Sequence, residues 1–382
     1  MRKIAYVAAL IIATTGLPYG SLKAQVCNQG ASGSRPICLG SPGSNIKMLQ
    51  FNSQGEITGC CTGTLGSMVK GPGGKYILSN NHVLDRVNLG KPGEGIINPG
   101  CPLSDPSNDI VAHLSASSHI SFAKNGKNQI DAAIAHIVAG DVSSDILNIG
   151  PISNKVAPAV VNLQVQKMGA TTGLTHGVVT EIGFDASGQN AVQYTDECDS
   201  SSGTASFVNQ IVVKASAGVF AAPGDSGSLV VTTDACPRPV GLLFASDNSG
   251  NVYLNPIGKV LSHFGVSFVA GCTATVTASN EVTNASNTGS TDGSDEAAAF
   301  ASISGISLDA INYAKGIKGR YEKDLFAIPS VTGVGIGASD EPGVPRLDVY
   351  VTEDGPALRD SMPDSLEGLP VNVIVGGPIH AL

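Results

Sequence analysis

Between residues 46 and 270 the chain is interrupted every few residues. Short runs rich in Val, Ile and Thr (46–51, 62–69, 76–79, 130–137, 161–168, 178–182, 211–214, 228–232 and 240–245) alternate with Gly, Pro, Asn and Asp. β-Branched side chains suit a pleated, half-buried surface, and runs of this length between turn residues pack as an all-β sandwich or barrel. One helix is predicted here, over about 256–264. Ile257, Val260, Leu261 and Phe264 share a stripe, and Gly265 can stop it.

The 382 residues allow two domains, each able to bury a core. With 22 Lys+Arg against 31 Asp+Glu the net charge is −9, and no basic stretch occurs. That excludes nucleic acid or an anionic membrane as the expected partner. Residues 1–24 read as a secretory signal peptide: Arg2 and Lys3, an apolar run to Leu17, then Pro18, Gly20 and a small residue at Ala24. The expected location is therefore secreted or periplasmic, with 25–274 as the main domain. In that compartment the eight Cys should form disulfides.

Residues 275–300 are rich in Ser, Thr, Asn and Gly and read as a flexible linker. The more highly charged segment 301–382 follows. A helix over about 308–323, strands at 331–336 and 346–352, a helical piece near 361–366 and a strand at 371–375 predict a small α+β domain. No cofactor or metal is implied: Asp292 to Glu296 does not complete a calcium loop, and the Gly-rich run from Val331 lacks the partners of a dinucleotide site.

The strongest chemical signal is Gly224-Asp225-Ser226-Gly227-Ser228, followed by Leu229-Val230-Val231. Glycines around a serine allow a tight turn that exposes the hydroxyl and gathers amide N–H groups at one point. A nucleophilic serine also needs a base and a carboxylate to hold that base in one tautomer. His82 lies at the end of the apolar run 76–79, and Asp131 is a lone carboxylate among apolar residues, a costly place for an unpaired charge. An α/β-hydrolase would need a helix after the serine and the order Ser, acid, His. Here a β-branched strand follows, and the order is His82, Asp131, Ser226.

Residues 46–270 thus resemble the trypsin/chymotrypsin-like serine peptidases. LSNNHVL, QIDAAIA and APGDSGSLVV are similar to the family's His, Asp and Ser motifs, and the segment from Val165 to Thr175 resembles one found in a bacterial branch. The resemblance implies a mostly β, double β-barrel domain followed by the small α+β domain. It implies a secreted serine endopeptidase that cleaves protein or peptide substrates through an acyl-enzyme. Ser226 would be nucleophile, His82 general base and acid, and Asp131 its orienting carboxylate, with the N–H groups of Gly224 and Ser226 as oxyanion hole.

Phe220, Phe244 and Ala245 would line the substrate pocket. Phe220 stands where Lys/Arg-cleaving members carry an Asp, so a small or apolar residue is expected before the scissile bond. No amino-terminal segment of the kind that activates digestive members is recognisable, so Asp225 lacks that partner. The resemblance also implies a bridge from Cys60 or Cys61 to Cys101; Cys198 and Cys236 flank the nucleophile loop and are the next expected pair. The α+β segment is expected to dock on the peptidase domain, modulating access to Ser226 or assisting folding. A catalytically silent binding module on the same fold is the alternative.

Overall fold

The computed structural model describes residues 35–101, 106–138, 140–187, 191–195, 202–273 and 300–382. The expected signal peptide and nearly all of the expected linker lie outside these. The first β unit is an eight-stranded sheet. Its order runs from Ser267–Phe268 through Ser67–Gly71, Gly74–Ser79, Ala133–Ile137, Ile110–Ser117, Gly95–Ile97 and Ser41–Asn45 to Gly63–Leu65. The strands Gly63–Leu65 and Ser67–Gly71 are separated in sequence only by Gly66, so the sheet curls back on itself. A Cβ at Gly66 would lie 2.0 Å from the Gly227 carbonyl oxygen, so the two β units touch at a point only glycine can occupy.

The second unit closes completely. Pro239–Asp247 pairs with Leu229–Thr232, then come Gln164–Gly169, Gly173–Ala186, Phe207–Ala215 and Asn251–Pro256, which pairs back with Pro239–Asp247. All of these pairs are antiparallel. A closed barrel leaves no edge exposed for pairing with another chain. The helix Ile257–Phe264 follows and ends on Gly265 at φ 62°, as the Gly265 stop signal predicts. The double β-barrel expected from the sequence is the arrangement found.

Local differences have local causes. The run at 46–51 opens as a turn of 3-10 helix, Ile46–Met48, because the Asn45 side chain accepts the Lys47 N–H at 2.9 Å. The run at 178–182 belongs to a 14-residue strand, Gly173–Ala186. Its length serves two partners on one edge, Gln164–Gly169 first and Val331–Ala338 beyond. The helical piece near 361–366 is displaced to Pro356–Ser361, where proline at the first helical position starts it early.

The C-terminal strands do not form a sheet of their own. Val331–Ala338 pairs with the barrel strand Gly173–Ala186, and Pro345–Val351 and Leu369–Val375 continue outward. The helix Leu308–Leu325 packs on these strands and fastens to the barrel through Lys318, whose Nζ lies 2.6 Å from Asp185 Oδ2. Val165, Val179 and Ile211 of the barrel share one apolar cluster with Ile311, Ile317, Val334 and Leu347.

A buried acidic group lies at this junction. Tyr350 Oη donates to Glu181 Oε1, while Glu181 Oε2 and Asp348 Oδ2 have no hydrogen-bond partner. Burial, then the nearby Asp348 charge, pushes the Glu181 carboxyl up to about 8. A carboxyl raised in the fold favours the native state while protonated, so its contribution is complete below the ordinary 4.5 and fades as pH rises through about 8. Urea unfolding at several pH values across that interval should show a loss of stability, and Glu181→Gln should lose less.

Candidate active site

Each element that carries a candidate residue is pinned before chemistry is considered. Gly74–Ser79 and Ala133–Ile137 are antiparallel, with Ser79 opposite Ala133. That register sets Asp131, just before its strand, beside the turn that follows Ser79. The turn is the short helix Asn81–Leu84. Asn80 Nδ2 donates to the Asp131 carbonyl at 2.6 Å, and Asn81 Nδ2 to the Ser118 carbonyl at 2.7 Å. His82 is thereby held on both flanks.

The Asp131 side chain has no solvent exposure. Its Oδ2 lies 2.6 Å from His82 Nδ1 and accepts Tyr194 Oη at 2.9 Å, while Oδ1 accepts the His82 backbone N–H at 3.3 Å. Asn255 Oδ1 accepts the Asp131 N–H at 2.9 Å. A carboxylate only accepts, so Nδ1 carries a proton and Nε2 is the nitrogen left for chemistry. Burial pulls the His82 imidazole down, but the Asp131 charge and hydrogen bond, with the Leu382 carbonyl, outweigh it. The ring therefore sits above its ordinary 6.5. Burial, then the Asp131 charge, pushes the Tyr194 phenol well above 10, which keeps it a neutral donor.

Ser226 sits on the turn before Leu229–Thr232 of the second barrel, where that barrel meets the first. Gly224 and Gly227 have φ of 98° and 92°, and a Cβ on Gly227 would lie 2.1 Å from Ser79 Oγ. Thr64 N–H donates to the Ser226 carbonyl at 2.8 Å, and Gly227 N–H to the Leu243 carbonyl at 2.9 Å. Among the hydrogen bonds of the described residues, the N–H groups of Gly224 and Ser226 have no acceptor. The Ser226 hydroxyl donates to the Phe244 carbonyl at 3.2 Å, not to His82.

A cavity of about 590 Å³ is lined by His82, Met48 and Gly63 from one side and by Thr171, Gly224 and Leu382 from the other. Phe220, Phe244 and Ala245, expected to line the pocket, are buried and do not line this cavity: Phe244 and Ala245 lie in the cluster with Tyr194 and Phe207. Phe220 belongs to the apolar cluster beneath, against which Leu382 packs.

Tyr194 carries no signal of its own in the sequence: it lies in a short strand, Val192–Tyr194, without a motif. Asp225 finds its cation in Lys167, with Nζ 3.4 Å from Oδ2 and both side chains without exposure. Asp225 Oδ1 also accepts the N–H groups of Thr171 and Thr172 at 2.9 and 3.1 Å, and Oδ2 accepts the Ala222 N–H at 2.9 Å. The charge is thus satisfied from inside the chain, by the segment around Lys167 to Thr172.

Cys60 is bonded to Cys101, closing the loop around His82 as expected. The second expectation is corrected: Cys236 is bonded to Cys272, and Cys198 lies outside the described residues. The reason is the segment 151–153. Its Ser153 N–H donates to the Pro237 carbonyl, and its Ile152 carbonyl accepts from Gly271 and Cys272 N–H, which brings the two cysteines together.

No family model matches this chain, and no curated protein does. In fold the chain resembles bacterial serine proteases. Thermobifida fusca protease A matches with a TM-score of 0.38 and 19% identity, covering 62% of this chain and 99% of that one. The Nocardiopsis protease NAPase matches at 0.36 and 16%, covering 55% and 94%. Cellulomonas bogoriensis chymotrypsin matches at 0.34 and 20%, covering 54% and 90%.

Removing Lys167 would leave Asp225 as an uncompensated buried charge. Lys167→Met should lower the unfolding free energy by roughly 3–5 kcal/mol in urea, and adding Asp225→Asn should recover part of that loss.

Proposed function

We propose that the chain is a serine endopeptidase acting through an acyl-enzyme. The observation that carries this reading is the buried Asp131 carboxylate, 2.6 Å from His82 Nδ1, beside a glycine turn that carries the fully buried Ser226 and two N–H groups without an acceptor. His82 Nε2 takes the Ser226 proton as Oγ attacks a peptide carbonyl, then returns it to the leaving amine. Asp131 holds the tautomer, helped by Tyr194 and Asn255. The Gly224 and Ser226 N–H groups stabilise the oxyanion, each worth about 10²–10³ in rate. Export into an oxidising compartment fits the Cys60–Cys101 and Cys236–Cys272 disulfides, and an apolar residue before the scissile bond fits the apolar cluster around Phe220.

A second reading, the silent binding module, is favoured by one observation: the Ser226 hydroxyl donates to Phe244 rather than to His82. Kinetics separate the two. On a peptide amide substrate, Ser226→Ala should abolish hydrolysis, and Asp131→Asn should lower kcat by about 10⁴-fold. Hydrolysis that survives Ser226→Ala would rule out the peptidase mechanism.

The pH profile adds a check. His82 acts as a base only when neutral, and its pKa is raised, so kcat/KM should rise with pH through a midpoint above 6.5. A midpoint at or below the ordinary value would contradict the role given to Asp131.

A further inference from the structure

The strand Ile379–Ala381 runs antiparallel to Pro239–Asp247, with Ala381 opposite Ala245, His380 opposite Ser246 and Ile379 opposite Asp247. On its other side it meets Val192–Tyr194, His380 opposite Gln193. Leu382 then reaches the candidate site. Its N–H donates to the Phe244 carbonyl at 3.2 Å, the same acceptor used by Ser226 Oγ. Its carbonyl oxygen lies 3.1 Å from His82 Nε2. The side chain packs against the cluster that contains Phe220 and Ala221, and Ala381 packs against the aromatic cluster of Tyr194, Phe207 and Phe244.

The path to this position is built closely. Gly376 N–H donates to the Val351 carbonyl at 2.9 Å, and a Cβ at Gly376 would lie 3.1 Å from the Tyr350 ring. A Cβ at Gly377 would lie 3.2 Å from Asn248 Cβ.

We infer that residues 379–382 occupy the acyl side of the Ser226 cleft as a built-in peptide ligand. They hold the site closed, and they match its preferred substrate: an extended peptide with a Leu-sized apolar residue before the scissile bond and a small residue before that. The inference rests on the serine-peptidase reading. Main-chain pairing supplies the affinity and the side-chain pockets the selectivity, as when a peptide adds a strand to a sheet.

The seated segment also fixes the proton state of the base. The Leu382 carbonyl oxygen only accepts, so Nε2 must donate to it while Nδ1 donates to Asp131. His82 is then an imidazolium and cannot take the Ser226 proton. The titratable groups facing the ring are Asp131 and the neutral Tyr194. Ser226, with no base to receive its hydrogen, turns to Phe244.

The test compares the full chain, a variant lacking residues 379–382, and Leu382→Asp, which keeps the main-chain pairing but places a charge in the apolar pocket. Fluorescein-labelled Ile-His-Ala-Leu should bind the deletion variant and not the full chain by anisotropy, more weakly as pH rises and His82 loses its proton. On Ile-His-Ala-Leu p-nitroanilide both variants should exceed the full chain in kcat/KM by about tenfold or more. Fluorophosphonate labelling of Ser226 in the same samples reads the hydrolase chemistry separately. Equal labelling and equal kcat/KM in all three proteins, without peptide binding, would overturn the inference and leave the peptidase reading standing. Peptide binding without labelling in any of them would keep the cleft occupant and overturn the peptidase reading.

Discussion

The site depends on a single carboxylate held dry. Asp131 has no exposure, and an isolated charge in such a place would cost several kcal/mol. The cost is met by the His82 turn from the first barrel, through its ring and its backbone N–H, and by Tyr194 from a short strand, while Asn255 of the second barrel holds the Asp131 backbone N–H. Moving His82 or Tyr194 strands the charge. The demand for a paired Asp131 therefore fixes the His82 ring, its tautomer and the approach of the two barrels together.

Asp225 poses the same problem on the other side of the cleft and is answered differently. Its cation comes from Lys167, and its remaining bonds come from the Thr171, Thr172 and Ala222 N–H groups and the Thr172 hydroxyl. The turn that presents Ser226 is thus braced from inside the second barrel. Thr64 and Ser79 close it from the first, through the Ser226 carbonyl and the tight approach at Gly227.

Much of this was legible in the residues. The spacing of Val/Ile/Thr runs between turn residues announced a sandwich or barrel, the motif resemblance pointed to two barrels, and Gly265 marked the end of the helix before it. The glycines around Ser226 and the lone Asp131 marked the chemistry, because each would be costly without a structural demand. What the sequence hid were long-range matches with no local signature. Tyr194 and Asn255 are ordinary residues until the fold brings them to Asp131. Lys167 lies in a segment that the resemblance marked, but its partner Asp225 shows only once burial leaves the two facing. The Cys236–Cys272 bond depends on where residues 151–153 pass. Composition separated the α+β segment from the barrel, yet its strands share the barrel's sheet and core. Residues 379–382 are short, apolar and unremarkable in composition, and only the register against Pro239–Asp247 brings Leu382 to His82.

The central claim is that Ser226 becomes acylated. Acid-quenched mass spectrometry after rapid mixing with p-nitrophenyl acetate tests it most directly, on the full chain and on the variant lacking residues 379–382. The account predicts an acetyl group on the peptide containing Ser226, absent in Ser226→Ala. No acetyl adduct in either protein, or an adduct on another residue alone, would contradict it.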